Sequence, residues 1–165
     1  MDACAECGFD YDLGMAEAAS TAILDGTAEM AAILGKMSTA AHRRPTAGTW
    51  SPLEYGCHVR DVLTVQRERA LLARREDTPT VAPMGRDERG EHDGYADQDA
   101  GDVAIQLAQL GRLFSNVLDR LQTADWERTM IYNYPSSAER SLRWLAIHTQ
   151  HEVEHHLLDI KQQPA

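Results

Sequence analysis

Val103, Leu107, Leu110, Phe114, Val117 and Leu121 recur at steps of 4, 3, 4, 3 and 4, the spacing that lays one apolar stripe along an α-helix. A helix with a single apolar stripe gains most of its stability by burying that stripe against other elements. This chain supplies partners of the same kind. An earlier helix, expected over Leu13–Met37, carries Ala16, Ser20, Ile23, Thr27, Met30 and Leu34 at similar steps. A second starts at Ser51-Pro52-Leu53-Glu54, which offers an N-cap hydroxyl, proline at the first helical position and a glutamate to close a capping box. It runs to about Glu76, with His58, Val62, Val65 and Arg69 on one stripe and Tyr55 and Val59 beside it. The striped helix itself spans Asp99–Gln122. Ser136 and Glu139 have capping-box spacing for a last helix that reaches Lys161.

Between these helices lie connectors. His42–Thr49 contains proline and glycine. Asp77–Gln98 predicts a loop of about twenty residues, a length that in compact domains is usually functional or disordered. Trp126–Pro135 predicts an extended, aromatic-rich connector. No segment alternates convincingly as a strand, so the expectation is all-α: one four-helix-bundle domain over residues 1–165, with an N-terminal tail over 1–12.

Composition removes several function classes. The chain has 165 residues and a formal charge of −10, with pI near 5.0. That balance argues against a nucleic-acid partner, which would require a basic face. No apolar run is long enough to span a bilayer. No basic region followed by an apolar stretch marks a secretion signal, so a soluble cytoplasmic protein is expected. Of the three cysteines, Cys4 and Cys7 resemble half of a zinc knuckle. A closed zinc site needs four ligands and no second such pair follows, so the pair predicts a reduced, solvent-facing feature of the tail.

Seven histidines are present, and His148, His151, His155 and His156 crowd one stretch. Ligands on a helix must share a face, at i and i+3 or i+4. His148 with Glu152, His151 with His155, and Glu152 with His156 all qualify. On a helical wheel Gln150, Arg143, Lys161 and Glu154 mark the solvent side. Opposite them lie Glu152, Asp159, Leu145 and His156, with His151 and His155 on the flank. The wheel therefore favours Glu152 and His156, with a third ligand, His58, on the inward stripe of the second helix. Two histidines and one carboxylate leave a coordination position open, as in catalytic zinc sites; nickel or iron also suits such a set. Asp159, three residues after His156, could orient that ring or pair with a surface cation.

Trp50–Leu63 (WSPLEYGCHVRDVL) and His148–Ile160 (HTQHEVEHHLLDI) resemble the DinB/YfiT-like superfamily. The resemblance covers nearly the whole chain and implies a four-helix bundle with a metal between a histidine of the second helix and two ligands of the last. In ligand type it is closest to the mycothiol-dependent maleylpyruvate isomerase branch, where a glutamate, a histidine four residues later and an aspartate three further on complete the site with the earlier histidine. His58, Glu152, His156 and Asp159 fall on that pattern. That isomerase has a further C-terminal domain, whereas this chain stops at Ala165, so maleylpyruvate itself is not carried over. The resemblance implies a zinc-dependent transferase or isomerase with a low-molecular-weight thiol as cosubstrate, and bundles that often pair as homodimers. A metal-stabilised binding protein and a metal-dependent hydrolase are the alternatives. Arg86, Asp87, Arg89 and Tyr95 of the long loop, and Tyr55, are the expected substrate contacts.

Overall fold

The computed structural model describes residues 3–37, 39–134 and 136–163. Four helices form the bundle: α1 (Ala19–Leu34), α2 (Pro52–Arg75), α4 (Ala100–Leu118) and α5 (Leu142–Lys161), with a short α3 at Arg86–His92. Both α1 and α2 pack on α4 and α5 and touch each other little. The two helices that come first in the chain therefore face each other across the bundle.

Three of the bundle helices, α2, α4 and α5, start where a side chain satisfies a free amide. Ser51 accepts from the Glu54 amide while the Glu54 carboxylate accepts from the Ser51 amide at 2.9 Å, closing the expected capping box. Arg44 pairs with that glutamate. Asp99 caps α4. The segment Leu13–Ala18, expected as the first turns of α1, is a 3-10 helix capped by Asp12, and α1 ends at Leu34, before Gly35. Similarly, α4 ends at Leu118 rather than Gln122.

The all-α expectation is corrected by a small sheet of order β1-β2-β3. Its strands are β1 (Thr80–Val81), β2 (Thr129–Asn133) and β3 (Ser137–Ser141). β1 runs parallel to β2, with Thr80 opposite Ile131, and β3 runs antiparallel, with Thr129 opposite Ser141. Met130 and Tyr132 are buried and their neighbours are not, the alternation of a half-buried strand. This pairing takes up Ser137–Ser141, so Ser136 and Glu139 do not cap α5. Ser141 does, accepting from the Trp144 amide at 3.2 Å. Pro135, at the end of the expected connector, lies outside the described residues. The expected long loop is largely structured, holding β1, α3 and a 3-10 turn at Tyr95–Asp97.

The N-terminal segment is not a free tail. Cys4 and Cys7 are half-buried, and the rings of Phe9 and Tyr11 each centre 5.2 Å from the His151 ring on α5.

Close helix approach rests on glycine. A methyl at Gly26 of α1 would lie 2.6 Å from Val153 Cγ1 of α5, and one at Gly111 of α4 would collide with Thr27 of α1. Gly26→Val and Gly111→Val should each destabilise the fold by about 1–3 kcal/mol, read as a lower denaturation midpoint in urea. A neutral result at both would place the helices farther apart than described here.

Candidate metal centre

The capping box fixes where α2 begins, and His58 follows one turn after Glu54, so the start of the helix sets the side on which His58 emerges. From α5, Glu152 and His156 approach the same point. His58 Nε2 lies 3.3 Å from Glu152 Oε2, and His156 Nε2 lies 3.6 Å from the same oxygen. One ligand atom from each of the three falls within 4.8 Å of the others.

The surroundings prepare two of these groups to bind a cation. His156 Nδ1 donates to Asp159 Oδ2 at 2.8 Å, which leaves Nε2 facing Glu152 and fixes the ring's tautomer. Burial lowers the pKa of His58, keeping the ring neutral. Against the effect of burial, hydrogen bonds from His156 and His58 hold Glu152 well below the usual carboxylate range. Burial also opposes the charge on His156, but hydrogen bonds to Asp159 and Glu152 raise it to about 9. Without a metal, then, the site holds an anion next to a protonated imidazole. His58 Nδ1 has no hydrogen-bond partner among the described residues. Its ring is packed instead by Trp50, at 5.4 Å between centroids, and edge-on by His156 at 4.9 Å.

The three residues lie on the wall of a cavity of about 400 Å3. Val62, Val65, Gln66 and Arg69 of α2 form one side, Pro83–Glu88 another, and Tyr132 and Tyr134 a third. Arg69 donates to the Tyr132 hydroxyl at 2.8 Å and to Gln66 at 3.1 Å. It has no carboxylate partner among the described residues, and burial lowers its pKa. His148 approaches the other carboxylate oxygen, with Nε2 3.9 Å from Glu152 Oε1. Burial pushes His148 down to about 4, so it stands neutral there. The Tyr11 hydroxyl lies 3.1 Å from its Nδ1.

The expected substrate contacts divide. Arg86 and Asp87 line the cavity, with the Arg86 guanidinium over Trp50. Tyr95 does not: it is 1% exposed, and its hydroxyl donates to Asp61 of α2 at 2.8 Å. Arg89 donates to the Met84 carbonyl and reaches the same aspartate. Both anchor the 83–98 segment to α2. Tyr55 stacks on His156 at 5.2 Å, supporting the ring without reaching the cavity. Arg69, Tyr132 and His148 were missed as cavity residues. Arg69 was already visible on the stripe that carries His58, and a cation on an inward stripe was the available signal.

A sequence model of the DinB superfamily matches residues 23–160. The chain belongs to the DinB superfamily. No curated protein matches its sequence significantly. Its fold resembles YfiT from Bacillus subtilis, described as a probable metal-dependent hydrolase with an unusual four-helix bundle topology. The two are 16% identical with a TM-score of 0.80, covering 90% of this chain and 85% of that one. At that identity the likeness speaks to the fold.

Ligation at this centre has a proton signature. At pH 7 His58 is neutral and Glu152 ionised, so metal uptake must displace a proton from His156. Affinity should rise roughly tenfold per pH unit and level off above about 9, where the proton is already gone. Calorimetry in buffers of different ionisation enthalpy should show about one proton released per metal at pH 7. Using Cys4→Ser/Cys7→Ser protein removes any thiol contribution. A pH-independent affinity would mean that His156 does not ligate.

Proposed function

We propose that His58, Glu152 and His156 hold one divalent metal, zinc in the first instance with nickel or iron as alternatives, and that the protein is a metal-dependent enzyme using a low-molecular-weight thiol. The observation that carries this reading is the convergence of three ligand atoms on the wall of a cavity of about 400 Å3, a volume in the range of small-molecule sites. The bound metal supplies a Lewis acid that lowers the pKa of a thiol.

The chain's own residues do the rest. Asp159 holds the His156 ring in one tautomer. Val62 and Val65 give the α2 side of the cavity an apolar surface. Arg69 presents a guanidinium that has no carboxylate partner among the described residues, suited to a carboxylate or phosphate oxygen on the substrate. Arg86, paired with Asp87 at 2.8 Å, adds a second guanidinium on the Pro83–Glu88 side. His148 stays neutral beside Glu152, an uncharged imidazole on the cavity wall. The ligand set of the mycothiol-dependent maleylpyruvate isomerase branch supports the thiol, and mycothiol is the first candidate.

The likeness to YfiT favours a second reading, a hydrolase that activates water in place of thiol. Cobalt separates the two. In cobalt-loaded Cys4→Ser/Cys7→Ser protein, thiol addition should produce a sulfur-to-cobalt charge-transfer band. It should also stabilise the fold by about 2.7 kcal/mol at a hundred times its dissociation constant. Both effects should vanish in His58→Ala. If mycothiol, bacillithiol, glutathione and cysteine all give neither, the thiol reading fails and hydrolysis is the one to pursue. Arg69→Met should leave metal content unchanged and weaken binding of anionic substrates about tenfold or more.

A further inference from the structure

The half-knuckle of the N-terminal segment finds its missing ligands on α5. Cys4, Cys7, His151 and His155 each present one donor atom, and all four atoms lie within 4.8 Å of one another. Cys4 Sγ is already 3.8 Å from His155 Nδ1, although 151 residues separate them in the chain. Tetrahedral zinc with sulfur and nitrogen ligands holds its donors about 3.3–3.8 Å apart, so the four need to close by no more than about 1–1.5 Å. We propose that Cys4, Cys7, His151 and His155 form a second, closed zinc site that fastens the N-terminal segment to α5. It stands independently of the function proposed above.

Both histidines have one ring nitrogen committed and one to spare. His151 Nδ1 meets the Tyr11 hydroxyl at 2.9 Å, while its Nε2 is buried with no partner among the described residues. His155 Nε2 faces Glu6 at 3.4 Å and Asp159 at 3.7 Å, while its Nδ1 turns to Cys4. A ligating histidine normally has this arrangement, with the far nitrogen held by an oxygen and the near one free.

The cysteine side has the matching backbone. Gly8, directly after Cys7, sits at φ +75, a left-handed conformation that glycine adopts at little cost. A side chain there would meet nothing within 4 Å, so backbone conformation, not crowding, selects the glycine. The Gly8 amide donates to the Cys4 carbonyl at 2.9 Å and the Cys4 amide to the Phe9 carbonyl at 2.8 Å, with Ala3 and Asp10 bridged beyond them. This tight turn brings both sulfurs to one side. Two thiolates and two neutral imidazoles exactly offset the charge of a divalent ion, so no net charge is added beside Glu152. With four protein ligands the site is structural. By holding the segment down, it keeps the Tyr11 hydroxyl on His148 and His151 at the cavity wall.

Metal analysis of the full chain, purified without chelator, tests this. About two divalent metals per chain are expected. Cys4→Ser/Cys7→Ser should lower the content to about one, and so should His58→Ala/Glu152→Ala, each through a different site. Cobalt-loaded wild type should show a sulfur-to-cobalt band with no thiol added. That band should disappear in the serine variant and persist in His58→Ala/Glu152→Ala. If the serine variant fails to fold, wild-type protein still decides the matter by alkylation and mass mapping. Cys4 and Cys7 should resist labelling while metal-loaded and be labelled after chelation, with buried Cys57 as the internal reference. Labelling of both in the metal-loaded protein, a Cys4–Cys7 disulfide, or a serine variant that keeps all its metal would overturn the proposal.

Discussion

The Glu152 carboxylate, carried into the bundle by α5, dictates the chemistry of everything around it. An ionised carboxylate withdrawn from water must be met by donors or by a cation. His58 and His156 flank one of its oxygens, and His148 and His151 lie near the other. Of these only His156 is held in its charged form, because Asp159 stands behind it. One protonated imidazole meets the Glu152 carboxylate, and a divalent ion could take its place while engaging all three groups at once. The same electrostatics that make the metal-free site stable make the proton on His156 a competitor of the metal.

The sheet turns this centre from a buried polar cluster into an accessible site. A bundle of four helices packed tightly around Glu152 would leave no room for substrate. Instead β2 enters beside α5 with Tyr132 pointing inward, and Arg69 reaches across to its hydroxyl and to the Ala82 carbonyl next to β1. That cation ties α2 to two strands and props the cavity open between them. On the far side Asp61 of α2 receives Tyr95 and Arg89, fixing the 83–98 segment over the cavity mouth. The segment is thereby positioned by residues that never touch the cavity.

What the sequence made legible was whatever depends on neighbours within a turn or two. The capping box at Ser51, the stripe from Val103 to Leu121 and the i, i+4 pair Glu152/His156 are local, and the positions of α2 and α4 and the side chains that meet His58 followed from them. The sheet was hidden because β1 has only two residues and exists through pairing with Ile131 and Tyr132, fifty positions away. The spacing of Ser136 and Glu139 satisfies a capping box on paper, but strand pairing with β2 uses the same residues and prevails. Tyr95 was read as a substrate contact because it sits in a loop full of charge. Its partner, Asp61, lies on α2, 34 positions earlier in the chain, where no local pattern links the two.

The run H-E-V-E-H-H holds two overlapping pairs, 151/155 and 152/156, offset by one residue and so by about 100° around the helix. Choosing between them assumed that only one face of α5 could meet another element. That assumption holds for a helix flanked only by the bundle. It fails here because residues 3–12 lie along the flank that the wheel assigns to His151 and His155, bringing Cys4 and Cys7 with them. Glu152 and His156 are then free to turn to His58 on α2. A carboxylate-containing set facing a cavity suits an exchangeable, hard-to-intermediate cation with an open position. A thiolate set closed by the N-terminal segment suits a metal that stays. Adjacent faces of one helix thus carry donor sets of different softness, and the chain can hold two ions in different roles without either set competing for the other's ligands.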